Sequence, residues 1–407
     1  MSKKIKIGLF GFGNVRQGFS ELLTSSKYSG LEIKTICIKD FNKHRAPNQF
    51  KFTTSIHEII DDPEIDMVVE LIDDAEVAFE ILKASLQKRK PVVTANKKML
   101  AENLNAIYDL QNKYHTPVRY EGAVCGSIPI IQNLESYYAH ENIERIEGIV
   151  NGSTNYILTK MTDEKIGFQQ ALDQAQVLGF AEADPSLDVD GSDAKYKLAI
   201  LMAHAFGVII EPKEIITIGI DKITQEDIRM AVQQDCTLKL IARIEKSGNK
   251  LFAIVAPQFI SIENPLSQIR NEFNGVTIRG KFAGTQHLAG KGAGGLPTGL
   301  AVLSDVIQLS RNSSHFYRQP ESNGDLTFES GMFNVYVRFE SPGQMGPKDF
   351  VEFQGGFHGH HFQTMEGWID PQKLADWQER DDLCLILKKD QNRTENTLKK
   401  AQEFQLI

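Results

Sequence analysis

A glycine pair set between an apolar run and a helical pattern constrains this 407-residue chain more than any other feature. Ile5 to Phe10 reads as a buried strand, Gly11 and Gly13 follow it, and the stretch GLFGFGNVRQGF opens the first helix. In the G-x-G-x-x-G fingerprint the first glycine permits a tight turn. The second lets backbone N–H groups approach a pyrophosphate at a helix N-terminus. Glycines alone are common in turns, so the weight rests on their context, strand before and helix after. The third fingerprint position holds Arg16 instead of glycine. Its guanidinium either reaches a phosphate or lies along the surface, with Gly18 relieving the crowding.

The pattern that follows extends this start into a sheet. Leu31 to Ile38, Asp66 to Ile72, Pro91 to Ala95 and Pro117 to Glu121 read as strands, separated by helix-like stretches. Strands alternating with helices imply an α/β fold, a Rossmann-like doubly wound parallel sheet with short right-handed crossovers. After Pro129 the character changes. A strand is expected around Ile146 to Val150, an apolar helix over Lys195 to Phe206, and a hairpin over Thr237 to Ile260 turning at Gly248-Asn249. This reads as an α+β catalytic and dimerisation domain. The last ninety or so residues look like a small separate module. The expected domains are 1–130, completed by a helix near 297–311, then 131–296 and 315–407.

Composition narrows the class. A formal net charge of −8 and no basic cluster disfavour a nucleic-acid partner. The four cysteines (Cys37, Cys125, Cys236, Cys384) have no metal-ligand spacing, which suits a reducing, cytoplasmic setting. No secretory signal pattern and no apolar run of about 20 residues is seen, so no membrane association is expected.

The end of the second strand selects the cofactor. An acidic residue there binds the ribose diol of NAD, whereas basic residues accommodate the extra phosphate of NADP. Lys39 beside Asp40, with Lys43 and Arg45 shortly after, leans towards NADP.

Chemistry concentrates between Gly179 and Leu201. Asp193 and Lys197 are four apart on a predicted helix and share one face. A surface ion pair is the plain reading of such spacing, and it is a weak interaction. Two features oppose it: the acidic stretch Glu182, Asp184, Asp188 and Asp190 comes first, and the helix that follows is apolar almost all round. A lysine–aspartate pair at the mouth of a buried helix suits binding an amino acid and moving a proton.

Seven motifs in series carry a resemblance. They are GFGNV, VELI (Val69 to Ile72), TANK (Thr94 to Lys97), EGAVCGSIP (Glu121 to Pro129), NGSTNYIL (Asn151 to Leu158), the E-A-D-P…D-V-D-G-x-D-A-x-x-K stretch, and GKGAGGLPT. Over about Lys3 to Ser310 the chain resembles homoserine dehydrogenase. The resemblance implies reversible NAD(P)-dependent reduction of L-aspartate 4-semialdehyde to L-homoserine, in threonine, methionine and isoleucine biosynthesis. It implies Lys197 as proton donor, Asp193 as the acid that positions substrate, and Glu182 as the carboxylate for the amino group. Lys97 would stand at the cofactor–substrate junction. Gly11, Gly13, Asn14, Val15, Lys39, Thr94 and Gly294 would join Lys97 in holding the cofactor. Glu121, Val124, Gly126 and Ile128 would form a monovalent cation site, with sodium the expected ion. A homodimer through the second domain is implied as well.

Three departures stand out. Arg16 is one. Asp73 and Asp74 replace a glycine pair near the expected dinucleotide, and Arg16 compensating one of these aspartates is the expectation that follows. The tail is the third: Val335 to Met345 resembles the first strand and turn of a threonine-sensing ACT module, but the next twenty residues lack its apolar helix. An ACT-like or degenerate regulatory module is expected. His358, His360 and His361 read as a glycine-flanked surface loop rather than a metal site. Two alternatives stay open, another two-domain NAD(P) oxidoreductase and a catalytically silent amino-acid-sensing relative.

Overall fold

The structure, a computed structural model, describes residues 4–25, 30–40, 50–311, 327–328, 331–341, 343–359 and 361–388. Lys43, Arg45 and His360 lie outside the described residues. The chain divides into two compact units. The first comprises Met1–Glu141, Ala199–Pro212 and Gly290–Asn323, the second Asn142–Leu198, Lys213–Ala289 and Gly324–Ile407.

The first unit is built on six strands: β1 (Ile5–Phe10), β2 (Leu31–Cys37), β3 (Lys51–Thr53), β4 (Met67–Glu70), β5 (Val92–Thr94) and β6 (Val118–Arg119). Their order is β3-β2-β1-β4-β5-β6, and every pairing is parallel. This is the doubly wound order, whose direction reverses between β1 and β4. Parallel strands covered on both faces must be apolar almost throughout, and β4 and β5 are buried at every residue. The apolar core gathers Ile7, Leu9, Val69 and Val93 from the sheet with Phe19, Val302 and Val306 from two helices. Those helices, Asn14–Ser25 and Gly295–Ser310, approach so closely that a Cβ on Gly18 would stand 2.1 Å from the Gly295 carbonyl oxygen.

The second unit carries β7 (Ile143–Ile149), β8 (Ile216–Thr217), β9 (Cys236–Ser247), β10 (Lys250–Ser261), β11 (Phe273–Gly280) and β12 (Gly284–Lys291). Its tail adds β13 (Thr327–Phe328), β14 (Phe333–Phe339), β15 (Glu352–His358), β16 (Gln363–Ile369) and β17 (Cys384–Leu387). The sheet runs β12-β11-β7-β9-β10-β17-β14-β16-β15 and is mostly antiparallel, with β8, β13 and β17 parallel to β10. The β9–β10 hairpin turns at Gly248, where φ is +63°.

The tail strands thus continue the sheet of the second unit. Phe333, Val335, Val337 and Leu385 share one apolar cluster with Phe252 and Ile254 of β10. A buried polar knot lies nearby. Asp227 accepts hydrogen bonds from Arg338 Nε at 2.9 Å, the Tyr336 hydroxyl at 3.1 Å and the Thr224 backbone N–H at 2.8 Å. The stretch after Met345 forms the β15–β16 hairpin, with one short 3-10 turn before it.

Candidate active site

Two clusters hold the residues singled out by sequence, one in each unit. In the first, β1 runs into Gly11, whose φ is +101° and whose N–H donates to the Cys37 carbonyl at 3.1 Å. A Cβ at Gly11 would stand 2.3 Å from the Leu71 carbonyl oxygen, so only glycine fits the turn. Gly13 is the opposite case. A Cβ there would meet nothing within 4 Å, which leaves the backbone open to a ligand. Asn14 and Val15 then open the first helix, whose first turn holds no acidic residue and presents unspent N–H groups. The residues present therefore fit a pyrophosphate. Gly294, with φ +117°, is the N-cap of the helix Gly295–Ser310.

Arg16 is 5 % exposed, so the surface placement is overturned. Its guanidinium lies 4.1 Å from the centre of the Phe12 ring and 5.5 Å from that of Phe50. The expected compensation by an aspartate is overturned too. Among the described residues Arg16 makes no ion pair, and Asp74 is occupied as a helix cap, accepting from the Glu76 and Val77 N–H groups at 3.1 Å each. Asp73 and Asp74 are both exposed.

VELI and TANK meet beneath this turn. The Thr94 hydroxyl donates to Glu70 at 2.5 Å, and Asn96 caps the helix that begins at Lys97. Thr94 is fully buried, so its side chain serves this pair. Lys97 is half-buried and Lys39 exposed. Burial pushes the Glu70 carboxyl up from 4.5 to about 7. Above its unfolded value the unfolded chain has released this proton while the folded chain keeps it. Glu70 therefore makes stability fall as pH rises from about 4.5 to about 7, and the fall levels off beyond. Glu70→Gln has no proton to lose and is expected to flatten that fall in urea midpoints; a slope that survives unchanged removes Glu70 as its source.

Glu121 is 2 % exposed and accepts from the Ile131 and Gln132 N–H groups at 3.0 and 2.7 Å. Burial, then Asp305 nearby, pushes its carboxyl up to about 8. Cys125 and Gly126 take left-handed φ values of +57° and +52°. Among the described residues no hydrogen bond ends on the Val124 or Gly126 carbonyls. A carboxylate with open carbonyl oxygens is a donor set that fits a hard monovalent cation. Ile128 is buried beside them.

The second cluster forms where β7 hands over to the helix Gly152–Asp163. Asn151 caps that helix by accepting from the Thr154 N–H at 2.8 Å. Its amide nitrogen donates to Asp188 at 2.6 Å and to Asp193 Oδ2 at 2.8 Å. Lys197 lies one turn past Asp193 on the helix Ser192–Phe206, and both are buried. The Lys197 ammonium donates to the Val150 carbonyl at 2.7 Å and to Asp193 Oδ2 at 2.6 Å. An ammonium has three donors. The third has no partner among the described residues. Asp188 is held above the usual carboxylate range, first by burial and then by Asp193.

The i,i+4 pair read from the sequence is thus a buried arrangement, not a surface one. Glu182 is exposed on the loop before Asp184. Sequence reasoning passed over Asn151 and Asp188 as individual site residues. The available signal was the asparagine in front of G-S-T, a cap position, followed by a carboxylate-rich loop. His358 Nδ1 is 3.0 Å from Gln363 Oε1, and among the described residues no group of three metal-ligating side chains forms. Among them no helix is long and apolar enough to cross a membrane.

An open glycine turn at the switch point of a doubly wound sheet and a buried, partly spent ammonium together define a nicotinamide-dependent oxidoreductase. Comparison with known proteins specifies it further. The family model "Homoserine dehydrogenase, NAD binding domain" matches residues 11–121, and the model "Homoserine dehydrogenase" matches residues 129–307. The homoserine dehydrogenase of Bacillus subtilis is 36% identical over 319 residues, 76% of this chain and 74% of that protein. The structure of a homoserine dehydrogenase from Thiobacillus denitrificans superposes with a TM-score of 0.85 at 29% identity, over 95% of this chain and 99% of that one. A hyperthermophilic archaeal homoserine dehydrogenase mutant in complex with NADPH gives 0.65 at 28% identity, over 76% and 98%. This chain belongs to the homoserine dehydrogenase family.

Proposed function

We propose that the chain interconverts L-aspartate 4-semialdehyde and L-homoserine, with NADP(H) preferred over NAD(H) and Lys197 as proton donor to the aldehyde oxygen. The observation that carries this reading is the Lys197 ammonium, buried, oriented by two acceptors and left with one donor to give. The nicotinamide cofactor supplies the hydride chemistry when bound. Gly11, Gly13, Asn14, Val15, Thr94, Lys97, Lys39 and Gly294 are the residues that would hold it.

As negative charge grows on the carbonyl oxygen, Lys197 donates its third proton to that oxygen. Asp193, gripped by Asn151 as well as by Lys197, keeps the ammonium in one rotamer and positions substrate. Glu182, on its exposed loop, takes the amino group of the substrate. In the reverse direction the Lys197 side chain is the group that takes up the hydroxyl proton. Glu121 with the carbonyls of Val124, Gly126 and Ile128 would hold sodium and so brace the strand-to-helix connection.

In the same reading the chain is a cytoplasmic homodimer in threonine, methionine and isoleucine biosynthesis, with no nucleic-acid or membrane partner. Residues 315–407 act as its regulatory module, and 1–130 with 297–311 and 131–296 as its cofactor and catalytic domains. A steady-state assay tests it. Homoserine-dependent reduction of NADP is expected to exceed that of NAD by about tenfold in kcat/KM, the effect of one charge-assisted contact, and to rise with added sodium. No homoserine-dependent reduction of either cofactor would sink it.

A further inference from the structure

Arg16 sits where the dinucleotide fingerprint places a glycine, and the duty of that glycine, close packing of helix against its neighbours, has moved two residues on. Gly18 and Gly299 now make the close approaches, with would-be Cβ contacts of 2.1 Å to Gly295 O and 2.5 Å to Phe19 N. Position 16 is thereby released to carry a long cation.

The placement of that cation is specific. Phe12, whose ring lies under the guanidinium, is the residue between the two glycines of the turn. Phe50 immediately precedes β3, which pairs with β2, and Phe12 also touches Phe52 of β3 with ring centres 5.5 Å apart. The charge therefore stands on the β2 side of the glycine turn. In this fold the adenosine ribose lies on that side, and an arginine nearby accommodates a 2′-phosphate.

Its electrostatic state asks for an anion. Nε is shielded from solvent without a hydrogen-bond partner, and among the described residues no carboxylate pairs with the guanidinium. Burial alone lowers its pKa. An unpaired buried cation is costly, and two aromatic faces offset only part of that cost. The guanidinium keeps a fork of N–H donors beside these rings, and such a fork suits a phosphate.

We propose that Arg16 binds the phosphate on the adenosine ribose and is the residue that makes the site select NADP(H) over NAD(H). This rests on the cofactor reading above. The test is titration of the full chain with NADPH and with NADH, followed by the fluorescence of the reduced nicotinamide, for the unaltered protein, Arg16→Met and Arg16→Lys. Arg16→Met is expected to weaken NADPH by about 10- to 100-fold while changing NADH by less than about twofold, and Arg16→Lys to recover part of the loss. In the unaltered protein 2′,5′-ADP, and not 5′-ADP, is expected to displace NADH.

The outcomes separate. An unaltered protein that binds both cofactors alike overturns the NADP reading and this inference with it. Discrimination that survives Arg16→Met overturns the assignment to Arg16 alone. Equal losses for both cofactors make Arg16 a packing residue of the turn and also overturn the assignment. If the methionine variant does not fold, Arg16→Lys decides: it must lose NADPH affinity selectively.

Discussion

Lys197→Met lowers kcat for homoserine oxidation by roughly 10²–10⁴-fold, the range expected when a positioned proton-transfer group is removed. Methionine keeps the length of the stem and its packing, and Asp193, which loses its ammonium partner, keeps the Asn151 amide as a hydrogen-bond donor. The dissociation constant of NADPH stays within about twofold, because the glycine turn has not been touched. Stopped-flow single turnovers would place the defect in the chemical step. A variant that retains more than about a tenth of the rate removes Lys197 as proton donor, since such a loss is smaller than proton-transfer catalysis supplies. Asp193 and Asn151 then become suspects only for orientation.

Asp227→Ala destabilises the second unit by about 3–5 kcal/mol, the usual cost of removing one partner from a buried ion pair. The Arg338 guanidinium would stay behind, half of its fork still on the Lys222 carbonyl at 2.7 Å, with no carboxylate to neutralise it. The Tyr336 hydroxyl and the Thr224 N–H would lose their acceptor in the same stroke. Urea unfolding followed by fluorescence of Trp368 and Trp377 reads this directly, because both tryptophans lie in the tail. A shift below about 1 kcal/mol would mean that the knot is no stronger than a surface pair.

The first unit was largely legible in the sequence because parallel strands buried on both faces leave unbroken apolar runs. Ile5–Phe10 is the strand expected, and Gly11 and Gly13 turn where the fingerprint requires. β3 escaped notice: a three-residue edge strand, Lys51–Thr53, has no periodicity to detect. The run from Pro117 shortened to Val118–Arg119, since Glu121 is drawn into a 3-10 turn and its carboxylate into the helix Ile130–Glu135. At the candidate site, helical spacing disclosed the Asp193–Lys197 pair. It did not disclose that Asn151, forty-odd residues earlier, would bind the same oxygen, because contacts across the chain leave no local pattern. Arg16 shows the same blindness: its aromatic partners Phe12 and Phe50 are apart in sequence and adjacent only once β3 has docked.

β10 is hydrogen-bonded to β9 along its whole length on one flank and to β8, β13 and β17 on the other. Ending the chain after the helix Gly295–Ser310 would strip β13 and β17 from that flank and uncover the apolar side chains of Phe252, Ile254 and Ala256. An open, greasy strand invites sticking to any other extended chain. The tail therefore works as a bandage over this flank, and a protein shortened there is expected to clump.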